Sequence, residues 1–192
     1  MDQEIIERAK EYIREIFKNN ADGHDFNHSI RVYENARNIA AGYPACDLLV
    51  VSLAALLHDV DDHKLFSTEN NQNARAFLQD QSLGQNKIER ICAVINAVSF
   101  SKNRGKRPES LEGQIVQDAD RLDAIGAIGI ARTFAFGGKN GRSIESSLQH
   151  FHDKLLLLKD EMNTEEAKRI AEIRHSYMEG FLTEMQEEMT SF

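Results

Sequence analysis

Histidine and aspartate side chains stand at the end of the most apolar segment of the chain. His58 and Asp59 directly follow the run Leu48–Leu57, in which Ser52 is the one polar residue. Burying an imidazole and a carboxylate beside such a run costs free energy unless something, such as a metal ion, compensates. In the alternative interpretation, His58 caps the end of a helix, where the dipole favours a cation, and the acids face water.

Two other parts of the sequence supply residues of the same types. His28 lies in a segment with a helical apolar pattern, and Asp118, Asp120 and Asp123 form a cluster that apolar residues interrupt. This interruption indicates that the cluster is not a plain solvated face. Taken singly, His28 is typical of a structural histidine. The residue types alone therefore leave a metal site and a structural role open.

The order of these residues resembles the metal-binding pattern of the HD-domain superfamily, which is a histidine, a His-Asp pair and an aspartate on successive helices. The matching stretches are residues 24–32, 54–62 and 115–132. They are most similar to small single-domain bacterial hydrolases, the YpgQ/YedJ-like branch, and the likeness extends over about residues 20–150. The metal ligands that the resemblance implies are His28, His58, Asp59 and Asp120.

Two neutral imidazoles and two carboxylates make a mixed nitrogen and oxygen site whose charge balances one divalent cation. Mn²⁺ is the expected metal, with Fe²⁺, Co²⁺, Mg²⁺ or Zn²⁺ as alternatives. Such an ion polarises a phosphoryl group and lowers the pKa of its bound water. Superfamily members with two metals add histidines between the His-Asp pair and the last aspartate, whereas no histidine occurs here in 64–149. We therefore predict one metal ion, with His63 as the one extra histidine nearby.

The resemblance also implies roles for residues around the metal. Asp62 matches the position of an acid that handles the proton of the attacking water in related nucleotidases, and Asp61 is the neighbouring alternative. Arg31, one turn after His28, is a candidate to neutralise the phosphoryl transition state, unless it only pairs with a nearby acid. The acids expected to support the ligands are Asp118, Asp123 and Asp61, and Asp123 is the substitute if the fourth ligand is misplaced.

A cation-rich segment, 101–107, is a candidate clamp for a polyphosphate tail on a chain whose net charge is −8. A flexible solvated loop is the equal alternative. The predicted phosphate-binding residues are Lys64, Lys102, Arg104, Lys106 and Arg121.

Helices must position these residues, because helix-favouring residues dominate and only 2 prolines occur in 192 residues. The pattern predicts one all-α domain, 1–192, of eight or nine helices, with a motif core of about 20–150 and C-terminal helices in 143–190. Loops are expected at 99–108 and 137–141. The expected helices are 2–18, 25–43, 46–60, 68–81, 85–98, 109–124 with a continuation to 136, 143–161 and 164–189.

The net charge of −8 argues against a protein that coats nucleic acid or lies on anionic lipid. Cys46 and Cys92 are isolated, as in reducing compartments, and the acidic first residues do not look like a secretory signal. The longest apolar run is about half a membrane span. We therefore expect a cytoplasmic protein without nucleic-acid or membrane partners, and leave a homodimer through the amphipathic terminal helices open.

The resemblance implies a phosphohydrolase that acts on nucleotides, and its nearest branch suggests cleavage of nucleoside triphosphates to monophosphate and pyrophosphate. No residue distinguishes attack on one phosphorus from attack on another. A phosphatase of nucleoside monophosphates is the enzymatic alternative. A non-catalytic nucleotide-binding regulatory module is the alternative from another class.

Overall fold

Helices account for all the regular secondary structure that the computed structural model describes, in residues 2–18, 25–63, 65–99, 103 and 105–190. Within these residues the structure gives bounds for nine α-helices and one 3₁₀-helix and has no strand, which confirms the all-α prediction. The helices are α1 (Asp2–Ile16), α2 (Phe26–Ala40), α3 (Leu48–Leu57), α4 (Gln72–Asp80), α5 (Gln85–Val98), α6 (Leu111–Asp123), α7 (Gly126–Lys139), α8 (Ile144–Asp153), the 3₁₀-helix η1 (Leu155–Glu161) and α9 (Glu165–Thr190).

The packing of the helices divides the chain into two compact units, Met1–Asp120 and Arg121–Phe192. In the first unit α3 packs against α1, α2 and α5, and α4 packs against α5. In the second unit α9 packs against α7 and η1, and α8 packs against the same two elements. The assignment of 1–192 to one domain stays a prediction. In the part of the chain that the structure describes, no helix is both long enough and apolar enough to span a membrane.

The central helix of the first unit is α3, as its apolar sequence predicts. Every residue from Leu49 to Leu57 is buried, whereas Leu48 is 46% exposed. The helix is shorter than predicted, because Asp47 is its N-cap and Leu57 is its last residue. The predicted bounds of 46–60 were therefore wrong at both ends. His58 and Asp59 lie in the turn that follows α3 and not within the helix.

Glycines account for two further differences between prediction and structure. Helix α6 does not continue to residue 136, because α7 begins at Gly126 with a φ of 76°, where a Cβ would come within 3.0 Å of the Arg174 side chain. Residues 137–139 form the last turn of α7 and not a loop. A Cβ on Gly137 would come within 2.6 Å of the Ser147 hydroxyl, so glycine allows the close approach of α7 and α8.

Two other segments depart from the predicted elements. The segment 143–161 was predicted as one helix, but α8 ends at Asp153 and η1 follows it. The predicted loop at 99–108 is described only in part, and Asn103 within it is helical. Helix α5, by contrast, has the predicted bounds.

Asp47 ties the start of α3 to two neighbouring helices. Its carboxylate accepts a hydrogen bond from the Val50 N–H at 3.2 Å, which caps the helix. The same carboxylate lies 3.2 Å from Lys87 and 3.2 Å from Arg90, both on α5. The Asp47 N–H donates to the Glu112 carboxylate on α6 at 2.9 Å. The buried helix that leads to His58 is thus fixed at its first residue.

We expect Asp47→Ala to lower the free energy of unfolding by about 1–2 kcal/mol, because the helix loses its cap. Asp47→Asn should cost less, since an amide oxygen still accepts the Val50 hydrogen bond. Urea unfolding at pH 7 measures both changes, with Asp80→Asn, an exposed aspartate, as the matched control. A loss for Asp47→Ala no larger than that of the control would contradict the capping role.

The contribution of Asp47 should also depend on pH. Burial alone raises the pKa of the Asp47 carboxyl, but the Val50 hydrogen bond and the charges of Lys87 and Arg90 outweigh it and lower this pKa. A lowered folded pKa stabilises the fold above the unfolded pKa of about 3.9 and ceases to do so as pH falls through the folded value. The stability difference between the wild type and Asp47→Asn should therefore shrink in unfolding experiments below about pH 4.

Candidate metal centre

Four side chains from three parts of the first unit bring their donor atoms together. The two Nε2 atoms of His28 and His58 are 3.2 Å apart. The Asp59 carboxylate lies 3.4 Å from His28 Nε2 and 3.2 Å from His58 Nε2. The Asp120 carboxylate lies 3.4 Å and 3.8 Å from the same two atoms. The predicted ligands therefore lie side by side.

Local structure places each of these four side chains. Asp25 is the N-cap of α2, and its carboxylate accepts the His28 N–H at 2.7 Å, which fixes His28 in the first turn. His58 and Asp59 directly follow the last residue of α3, and the Asp47 cap fixes the first turn of this helix. Asp120 lies in α6. The four donors thus depend on the start of one helix, the end of a second and the body of a third.

The His58 ring is oriented by the backbone of α3. Its Nδ1 lies 2.8 Å from the Ala55 carbonyl oxygen, which can only accept, so Nδ1 carries the proton. In the neutral ring Nε2 therefore carries the lone pair that faces the cluster. A metal-binding histidine usually donates a hydrogen bond from its other ring nitrogen, and this bond fixes the orientation of the ring.

The electrostatics of the cluster favour a positive charge at its centre. Burial lowers the pKa of His58, but the carboxylates of Asp59 and Asp120 outweigh it and raise this pKa above its usual value. Burial raises the pKa of Asp120, but the hydrogen bond from His28 and the charges of both histidines outweigh it and lower this pKa. The Asp120 carboxylate therefore favours its ionised form, which stabilises a cation beside the imidazoles.

The donor set fits one divalent metal ion. Donors bound at about 2.1 Å, in tetrahedral or octahedral directions, lie about 3.0–3.5 Å from one another. Donor atoms of His28, His58 and Asp120 all lie within 4.8 Å of one another, and an Asp59 oxygen lies within 3.4 Å of both histidine nitrogens. His28 and Asp59 are 2% and 7% exposed, while the Asp120 side chain is 24% exposed. The cluster is thus closed on one side and reached by solvent near Asp120.

Asp61 and Asp62 have different surroundings. Both oxygens of Asp61 accept backbone hydrogen bonds from the start of α4, Asn73 N–H at 2.9 Å and Ala74 N–H at 3.0 Å. The Asp62 side chain is 19% exposed, and its oxygen lies 3.9 Å from Nδ1 of the exposed His63. The Asp62 N–H donates to the Asp59 carbonyl at 3.1 Å, which keeps Asp62 in the turn that carries a ligand.

Three other predicted site residues lie on helices. Arg31 is half-buried on α2, one turn after His28. Asp118 is fully buried on α6. Asp123, at the end of α6, is buried, and its carboxylate lies 2.6 Å from Arg132 on α7. An ion pair with Arg132 gives Asp123 a structural partner.

Arg121 is buried and contacts Glu161. It is 4% exposed, and its guanidinium donates to the Glu161 carbonyl and lies 3.2 Å from the Glu161 carboxylate. These contacts give Arg121 a structural partner, and its assignment as a phosphate-binding residue stays a prediction. Lys106 is exposed, as such a residue should be. Lys64, Lys102 and Arg104 lie outside the described residues.

The sequence reasoning missed two asparagines near the cluster. Asn73 donates from its side chain to the Val60 carbonyl at 2.7 Å, next to Asp59 in the chain. Asn35 on α2 donates to the Ala119 carbonyl at 3.4 Å, next to Asp120. Neither residue has a spacing that marks it, because both bind backbone atoms that only the fold brings near.

Known proteins share this arrangement of the chain. The family model for the HD domain matches residues 25–125. YpgQ of Bacillus subtilis is 39% identical over 95% of this chain and 93% of its own length. A crystal structure of Bacillus subtilis YpgQ in complex with ADP has a TM-score of 0.85 and 34% identity, over 97% of this chain and 96% of that one.

A crystal structure of an HD-superfamily hydrolase from Bacillus thuringiensis has a TM-score of 0.83 and 36% identity, with complete coverage of both chains, 100% each. The match to the family model, residues 25–125, includes His28, the His58-Asp59 pair and Asp120. The chain belongs to the HD-domain family and is a metal-dependent phosphohydrolase of that superfamily.

Proposed function

We propose that the protein hydrolyses nucleotides, and specifically nucleoside triphosphates to monophosphate and pyrophosphate, with one Mn²⁺ ion bound by His28, His58, Asp59 and Asp120. The observation that carries this proposal is the meeting of two imidazoles and two carboxylates at a place that solvent reaches beside Asp120. The crystal structure of YpgQ with ADP supports a nucleotide ligand, because that protein shares the fold and 34% of the sequence.

When bound, a divalent cation polarises the phosphoryl group and makes a nearby water more acidic. His28, His58, Asp59 and Asp120 would hold that cation. The oxygen of water forms a bond to the α-phosphorus, the bond from this phosphorus to the bridging oxygen breaks, and pyrophosphate leaves. Asp62 takes the proton of the water.

The geometry supports Asp62 over Asp61 in the role of proton acceptor. Both oxygens of Asp61 already accept hydrogen bonds from α4. Asp62 is in the same turn as Asp59, and solvent reaches its side chain. Arg31, on the same helix as His28, stabilises the negative charge that develops on the phosphoryl oxygens.

The polyphosphate tail needs cations away from the metal. We assign that role to Lys64, Lys102, Arg104 and Lys106, of which the structure describes the exposed Lys106. A phosphatase of nucleoside monophosphates uses the same metal centre with a shorter substrate. A regulatory module that binds nucleotides without turnover needs neither Asp62 nor an open metal position.

Metal-free protein titrated with Mn²⁺ should bind one ion per chain, measured by electron paramagnetic resonance of the free ion. His58→Ala and Asp120→Ala should each weaken binding by more than about tenfold, since each removes one of four ligands. His152→Ala, an exposed histidine, is the matched control and should bind like the wild type. Two tightly bound ions per chain would contradict the single-metal assignment.

The Mn²⁺-loaded protein should convert nucleoside triphosphates to monophosphates and pyrophosphate in a panel of substrates separated by chromatography. In water labelled with ¹⁸O, attack on the α-phosphorus places the label in the monophosphate, which mass spectrometry measures. Label in pyrophosphate instead would refute α-attack. Release of orthophosphate from nucleoside monophosphates would support the phosphatase. Nucleotide binding without turnover would support the regulatory module.

Asp62→Asn should lower kcat by about 10²–10⁴-fold, the usual contribution of a general base, while Mn²⁺ binding stays as in the wild type. The matched control is Asp160→Asn in η1, an exposed aspartate of the second unit. If kcat stayed within about threefold of the wild type, Asp62 would not be the proton acceptor.

A further inference from the structure

Hydrogen bonds in both directions join the turn that follows α3 to the start of α4. The carboxylate of Asp61 accepts the backbone N–H groups of Asn73 at 2.9 Å and Ala74 at 3.0 Å. In return, the side-chain amide of Asn73 donates to the Val60 carbonyl at 2.7 Å. Three hydrogen bonds thus join two segments more than ten residues apart. We call them the Asp61–Asn73 clamp.

Helix α4 depends on this clamp for its cap. Its own N-cap residue, Asn71, has a φ of 56° and makes no side-chain cap hydrogen bond. Asn70 before it also has a positive φ, of 54°. Because the first N–H groups of a helix have no partner within the helix, they need an acceptor from elsewhere, and a carboxylate there is also favoured by the helix dipole. Asp61 supplies that acceptor from another segment.

The clamp acts on residues that flank a metal ligand. Val60, whose carbonyl Asn73 binds, is buried and directly follows Asp59. Asp61 follows Val60, and its carboxylate accepts two backbone N–H groups of α4. The backbone on the C-terminal side of Asp59 is therefore fixed by α4, just as its N-terminal side is fixed by the end of α3.

We propose that Asp61 and Asn73 are positioning residues of the metal centre, which hold the turn 59–62 so that the Asp59 carboxylate faces His28 and His58. Asp61 acts through the backbone of α4 and neither binds the metal nor accepts the proton of the water. The inference rests on Asp59 as a metal ligand, and it does not depend on which nucleotide is the substrate. Partners that orient a ligand contribute about 10–100-fold to metal affinity or activity.

The test is a Mn²⁺ titration of metal-free protein, followed by electron paramagnetic resonance, with urea unfolding of each variant alongside. Asn73→Ala removes the bond to the Val60 carbonyl and leaves the cap of α4, and Asp61→Asn weakens the cap. Each should raise the Kd for Mn²⁺ by about tenfold or more. If Asp61→Asn does not fold, Asn73→Ala decides the question alone.

The matched control loosens the same helix without touching the clamp. Arg75 on α4 makes two 2.7 Å contacts to Glu89 on α5, and Glu89→Gln weakens this pair. Glu89→Gln should leave the Kd for Mn²⁺ unchanged even where unfolding shows a loss of stability. Unchanged Mn²⁺ affinity in Asn73→Ala, or an equal loss in Glu89→Gln, would overturn the positioning role.

A separate variant distinguishes failure of the clamp from failure of the ligand assignment. Asp59→Ala should lose most of its Mn²⁺ affinity, because it removes a direct ligand. If Asp59→Ala binds Mn²⁺ like the wild type, the ligand set itself is wrong. If Asp59→Ala loses binding while Asn73→Ala keeps it, the ligand set stands and the positioning role is refuted.

Discussion

The first unit is organised around a group of charges that is unfavourable without a cation. Two imidazole nitrogens lie 3.2 Å apart, with the Asp59 carboxylate within 3.4 Å of both. Buried groups of this kind cost free energy unless an opposite charge and hydrogen bonds compensate. Three features of the surrounding structure hold these donors together. Helix α2 is capped at its start, the buried α3 is fixed at its start, and α6 is bound to the start of α3 through Glu112 and Asp47.

The end of α3 matters for the site because it carries two neighbouring donors. His58 is the C-cap of α3 and has a helical backbone, with a φ of −62° and a ψ of −28°. His58 and Asp59 lie in the turn after the helix, where the His58 Nε2 and the Asp59 carboxylate approach to 3.2 Å. The end of the helix thus places an imidazole and a carboxylate side by side.

The sequence predicted the features that local patterns control. Helix α5 has the expected bounds, and the order of histidines and aspartates indicated donors that the structure brings together. The predicted end of α3 was wrong because Val60 continues the apolar pattern after Leu57, although the helix has already ended. The sequence did not indicate that Arg121 pairs with Glu161, because this partner is 40 residues away and only tertiary structure brings it near. Asn73 was missed since its partner is a backbone carbonyl, which leaves no trace in residue types.

The hydrogen bonds between Asp61 and Asn73 have a consequence for the dynamics of α4. If the start of α4 and the turn 59–62 are held together, an ion that binds the turn also stabilises the helix, by the reciprocity of coupled equilibria. Local opening of α4 would then be rarer with metal than without it, and its amide hydrogens would exchange more slowly. The short helix α4 would thus report on metal occupancy at a distance, although none of the four proposed ligands belongs to it.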